Sequence, residues 1–76
     1  MDMYTIVVKE YSSRRNEYVP TNVEWDVQSS ENMFPKFFDK WKSDFSVANG
    51  DYQVVLIDSN TDNIVDSFLC DDIDFI

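Results

Sequence analysis

Phe34-Pro35-Lys36-Phe37-Phe38-Asp39-Lys40-Trp41-Lys42-Ser43-Asp44-Phe45 is the stretch that decides the fold. Phe34, Phe37, Phe38, Trp41 and Phe45 recur at i, i+3, i+4, i+7 and i+11, the spacing of one face of an α-helix. Lys36, Asp39, Lys40, Lys42 and Asp44 fall on the other side. The spacing predicts an amphipathic helix over roughly residues 33–46, with the aromatic row as the core contact. Ser29, Ser30, Glu31 and Asn32 supply candidate N-caps, and Pro35 then stands in the first turn, where its missing N–H matters little. Asn49-Gly50 is expected to end the helix in a left-handed conformation.

Working outward, the segments on either side read as strands. Residues 3–11 alternate Tyr4, Ile6, Val8 with Thr5, Val7, Lys9, and a polar turn follows at 12–16. From Tyr18 to Gln28, Val19, Val23, Trp25 and Val27 share one face, and Asn22, Glu24 and Asp26 the other. Pro20 cannot donate a ladder hydrogen bond, which assigns this strand to an edge or gives it a bulge. Residues 52–57 are almost continuously apolar, 58–63 are a turn cluster, and 64–70 form a fourth strand. Hairpin, helix, hairpin predicts a single α+β domain: a four-stranded antiparallel sheet in the order 2-1-3-4, with one helix on one face. The first and third strands, the most apolar, are then central. Val7 and one of the pairs Val55/Ile57 or Val54/Leu56 should point to the uncovered face. The acidic end, residues 71–76, is expected to extend the fourth strand or hang free.

Seventy-six residues with 43% hydrophobic and 16% aromatic content suit one small folded domain. No stretch is long and apolar enough for a signal sequence or a membrane span, and one cysteine allows no intrachain disulfide. A cytoplasmic protein is the expectation. The net charge is −9, and its distribution is uneven. Residues 51–76 hold seven aspartates and no Lys or Arg, whereas residues 1–50 hold eight acids and all six basic residues. Direct nucleic-acid or anionic-membrane binding is not expected, because both need a basic footprint.

The chain has no histidine, which removes Ser-His and Cys-His pairs and the commonest metal ligand. Cys70, on a strand, reads as a small buried apolar residue. Catalysis by paired carboxylates needs a desolvating cleft that one helix and four strands hardly provide, so no enzymatic activity is expected. Asp58, Asn60, Asp62 and Asp66 resemble the calcium loop of the EF-hand family in spacing, with Asn63 at the family's left-handed glycine. Leu69 stands where that family has its bidentate acid, and strands flank the loop. An Asx-rich hairpin turn without metal or other cofactor is therefore expected.

In size, charge and economy the chain resembles the small acidic inhibitor proteins that phages encode against host nucleic-acid machinery, of the anti-CRISPR and DNA-mimic kind. That resemblance, to a class of many folds, implies a non-enzymatic protein that occludes a basic surface of a target protein, in the host cytoplasm if phage-encoded. The candidate partner-binding acids are Glu24, Asp26, Asp58, Asp62, Asp66, Asp71, Asp72 and Asp74. Glu24 and Asp26 are expected at one edge of the sheet, and the hairpin acids at the other. The other reading is a structural or oligomeric module, a homodimer included, that pairs through its uncovered sheet face or an edge strand.

Overall fold

A computed structural model describes residues 2–29 and 33–74. Strands β1 (Asp2–Ser12) and β2 (Glu17–Ser29) form a hairpin, helix α1 (Met33–Phe45) follows, and β3 (Tyr52–Asp58) and β4 (Asn63–Cys70) form a second hairpin. All pairings are antiparallel, and the sheet order is β2-β1-β3-β4. This is the α+β arrangement read from the alternation and apolarity of the strands. The expected N-cap residues Ser30, Glu31 and Asn32 lie outside the described residues. Pro35 is the third helical residue.

The core lies between α1 and one sheet face. Tyr4, Ile6 and Val8 of β1, Val54 and Leu56 of β3, and Phe68 and Cys70 of β4 close on Phe38. Period-2 alternation therefore sends Val54 and Leu56 to the helix, and Val7, Val55 and Ile57 to the uncovered face. Val55 is nonetheless only 2% exposed. It is the middle residue of that face, flanked in register by Val7 and Ser67.

The aromatic helix row is wider than the core. Phe38 is fully buried and meets Phe68 at 5.2 Å between ring centroids. Phe34 and Trp41 pack at the margin, edge to face with each other at 5.8 Å. Phe37 is 55% exposed, and Phe45 is also exposed. The expectation that all five rings are core is corrected: residues at i, i+3, i+4, i+7 and i+11 span a wide arc, and the sheet face covers only its centre.

Edge strand β2 departs from simple alternation. The register with β1 shifts between Val7 and Lys9, so three residues, Thr21 to Val23, face Val8. The Thr21 hydroxyl donates to the Val8 carbonyl at 2.8 Å, and the Val23 N–H donates to Thr21 Oγ1. This bulge, beside Pro20, leaves Val23 exposed while Trp25 and Val27 still pack on the core. The two extra residues keep the alternation in phase, so Val19, opposite Glu10, Trp25, opposite Ile6, and Val27, opposite Tyr4, stay on the helix side as the sequence predicts.

Two turn expectations change as well. Gly50 does not have a positive φ; among the described residues the left-handed ones are Asn16 and Asp62. Asp62, not Asn63, turns the second hairpin. Gly50 is glycine because a Cβ there would run into the backbone of Cys70. The 46–51 connection is held by Val47 N–H to Leu69 O (2.9 Å), Tyr11 N–H to Asp51 O (2.8 Å) and the Tyr18 hydroxyl to Gly50 O (2.7 Å).

Candidate functional site

The register brings one set of acids to one end of the sheet. Asp26 pairs with Thr5, and Thr5 with Ile57; Asp58 pairs with Tyr4 one row further out. Neighbouring strands lie ~4.8 Å apart, so the backbones of Asp26 and Asp58 stand about 10 Å from each other; Asp26, opposite Thr5, belongs to the open face and Asp58, opposite Tyr4, to the helix face. Asp2 starts β1 at the same end, opposite Ser29. Glu24, opposite Val7, is the next acid along the open face. Asp62 stands in the turn between β3 and β4. Among the described residues the only basic one in a strand is Lys9, which pairs with Gln53 toward the other end.

Hydrogen bonds hold Asp26 and Asp58. The Thr5 hydroxyl donates to the Asp26 carboxylate at 2.8 Å. Its single proton is thereby used, so the Ser59 hydroxyl, also 2.8 Å away, donates to Thr5 Oγ1. A chain of two hydroxyls thus joins the β3–β4 turn to an acid on the far edge strand. The Asp58 carboxylate accepts the Asn60 N–H at 2.9 Å, an Asx turn that commits part of its acceptor capacity to the backbone. Tyr4 reports the local field. Burial first, and then the Asp2 and Asp58 carboxylates, hold its phenol pKa above the usual value.

The remaining candidate acids go elsewhere. Asp66 lies on the helix side, opposite Leu56, and bonds to the Lys42 ammonium at 2.9 Å. Asp71, Asp72 and Asp74 follow Cys70, which pairs with Tyr52, so they stand at the opposite end of the sheet, about 25 Å from the hairpin turn. Asp72 accepts the Asp74 N–H at 3.0 Å, and Ile73 between them packs against the core. Of the eight acids, Asp26, Asp58 and Asp62 stand at one end of the sheet, Asp26 with Glu24 on the open face and Asp58 on the helix face, and Asp66, Asp71, Asp72 and Asp74 do not join them.

Asp2 belongs with the first group and is absent from the sequence-based set. Its signal was the alternation itself: Asp2, Tyr4 and Ile6 share a face. Among the described residues no group of three or more His, Cys, Asp or Glu side chains is arranged to hold a metal ion. Cys70 is buried, and desolvation pushes its thiol pKa up, away from the reactive thiolate.

Both free edges are blunted. On β4, the Ser67 N–H is bonded to the Asp66 carboxylate at 2.8 Å, and the Leu69 carbonyl is taken by Val47. On β2, the Thr21–Val23 bulge interrupts the ladder. Among the described residues no helix is long and apolar enough to cross a membrane. Compared with protein-family models, with curated proteins and with solved structures, the chain matches none.

Proposed function

We propose that this protein binds, without catalysis, a basic nucleic-acid-binding surface of a target protein, and occludes it with the acidic end of its sheet. The supporting observation is that Asp2, Asp26 and Asp58 on the strands and Asp62 in the β3–β4 turn stand at one end of the sheet, with Glu24 behind them, whereas Lys9, the only basic strand residue among the described residues, stands toward the other end. Rigid strands hold these carboxylates at fixed spacing, so little entropy is lost when they meet fixed cations. A uniform field also steers association with a basic cleft. Of the two readings, edge-strand pairing is less favoured, because both edges are blunted. The test is capture of basic proteins on the immobilised chain at low salt, followed by elution with duplex DNA. DNA-displaceable capture that is lost in the Asp26→Asn/Asp58→Asn/Asp62→Asn variant supports the reading. Capture that DNA does not displace, or that the variant retains, overturns it.

A further inference from the structure

Antiparallel register arranges the open sheet face in rows. Asp26, Thr5, Ile57 and Ile64 stand side by side across all four strands, and Glu24, Val7, Val55 and Ser67 form the next row. Down the strands, the same face is striped. Edge strand β2 carries the exposed carboxylates Glu24 and Asp26, whereas the central strands carry Val7, Val55 and Ile57. Ile64, on the far side of the apolar stripe, is 65% exposed, more than any other large apolar side chain among the described residues. The Asp26 carboxylate is held on this face by the Thr5 hydroxyl at 2.8 Å. Lys9, paired with Pro20 and Gln53 beyond Val7, closes the acidic stripe.

An anionic stripe beside an apolar one is complementary to an element with a cationic stripe beside an apolar one. An added strand needs a free ladder edge, and both edges are blunted. A helix satisfies its backbone internally and meets a sheet face by side chains alone, as α1 does on the opposite face. Its spacing also matches. Glu24 and Asp26 are two strand residues apart, about 6.7 Å, and residues i and i+4 of a helix are separated by a rise of about 6 Å. A helix about 10 Å across, laid along β1 and β3, has the outer strands about 7 Å to each side of its axis. Its cationic flank then stands over β2 and its other flank over Ile64, and lysine or arginine stems lie along the apolar surface while their heads reach the carboxylates. We infer that the open sheet face docks an amphipathic α-helix of the target protein, with Lys or Arg at i and i+4 paired to Glu24 and Asp26, and apolar residues seated on Val7, Ile57 and Ile64. This rests on the proposed occlusion of a basic surface, and it assigns the contact to the open-face acids rather than to Asp58 and Asp62. Helix α1 has a similar outer pattern, Lys36 and Lys40 beside Met33 and Phe37. Its docking on another copy would be head-to-tail, however, a contact that repeats into filaments unless its rotation closes a ring.

The probe is a synthetic peptide of about 18 residues, long enough to be helical alone, with lysines at i and i+4 along one flank and leucines on the adjoining face. A control peptide has the same composition in an order that mixes the two faces. In an amide NMR titration the native chain should bind the first peptide saturably, with Thr5, Val7, Glu24 and Ile57 shifting most. The control should bind about tenfold more weakly, since burial of one leucine is worth at least that factor. Glu24→Gln/Asp26→Asn should weaken binding about fivefold, the scale of two exposed ion pairs, and Ile64→Ser by a similar factor. Asp58→Asn/Asp62→Asn, with the same charge change, should alter it by less than about twofold. All these variants change side chains outside the core, and their amide spectra verify the fold. Equal losses from the two acid pairs, equal binding of the two peptides, or shifts centred on α1 overturn the inference. So does a native chain that binds neither peptide; if basic proteins are still captured and displaced by DNA, the function it rests on survives that failure. Sedimentation of the native chain alone should give the monomer mass. An oligomer dissolved by Lys36→Glu/Lys40→Glu would assign the open face to α1 of a second copy and overturn the inference too.

Discussion

The Lys42 ammonium stands 2.9 Å from the Asp66 carboxylate and ties the last turn of α1 to edge strand β4. The bond, and then the charge of Asp66, hold the lysine pKa above its ordinary value of 10.5. The pair also takes one of the seven C-terminal aspartates out of the free negative surface. Because the folded pKa is the higher one, the ammonium's contribution is complete below the ordinary lysine range and is lost as pH rises through the folded value. Thermal melts of the native protein and Lys42→Met should therefore differ at neutral pH and converge at strongly alkaline pH. A constant difference over that span would mean that Lys42 acts through its methylene packing alone.

Phe38, not the more prominent Trp41, is the keystone of the helix. Phe38→Ala should cost ~3–5 kcal/mol, the range for truncating a fully buried aromatic ring. A domain this small has little more to lose. Trp41→Ala, at the half-buried margin, should cost clearly less. Urea unfolding of both variants checks the order, and a Trp41 variant less stable than the Phe38 variant would contradict it.

Gly50→Ala tests close packing rather than backbone freedom. The added methyl would meet the Cys70 backbone, a neighbour with no flexible end to move aside. Overpacking of this kind costs ~1–3 kcal/mol. A denaturation midpoint equal to that of the native protein would show that the 46–51 connection shifts freely.

Calcium should not bind specifically at the β3–β4 turn. The Asp58 carboxylate is committed to the Asn60 N–H, the Asp66 carboxylate to Lys42 and to Ser67 N–H, and Leu69 offers no side-chain oxygen. Amide shifts of residues 58–66 should stay linear and alike in calcium and magnesium. A saturable response to calcium alone would refute this.

Charge removal should matter by place. Asp26→Asn/Asp58→Asn/Asp62→Asn keeps each acceptor oxygen and suits the left-handed φ of 59° at Asp62. Glu10→Gln/Glu17→Gln/Asp39→Asn removes the same charge elsewhere. With a basic partner, the first variant should associate more slowly at low salt. High salt should erase most of the difference, as the screening length falls from ~10 Å at 0.1 M to ~3 Å at 1 M. Equal losses from both variants would mean that net charge alone matters.

Local pattern carried the elements and their order. A period of 3.6 in residues 34–45 and of 2 in the flanking strands specifies helix and sheet, and the continuous apolarity of 52–57 places β3 inside. Pro20 likewise marked an edge strand with a bulge. Periodicity reports direction, however, and not how far the opposing surface extends. Only packing decided that Phe38 is buried while Phe37 faces solvent. The same holds for charge. The sequence by itself determined that the last third is acidic, but register decides which acids meet. Antiparallel pairing set Asp2, Asp26 and Asp58 at one end, carried Asp71, Asp72 and Asp74 to the other, and turned Asp66 toward Lys42. Sequence distance and spatial distance part there because each hairpin reverses the chain, and one residue of bulge moves a side chain to the opposite face.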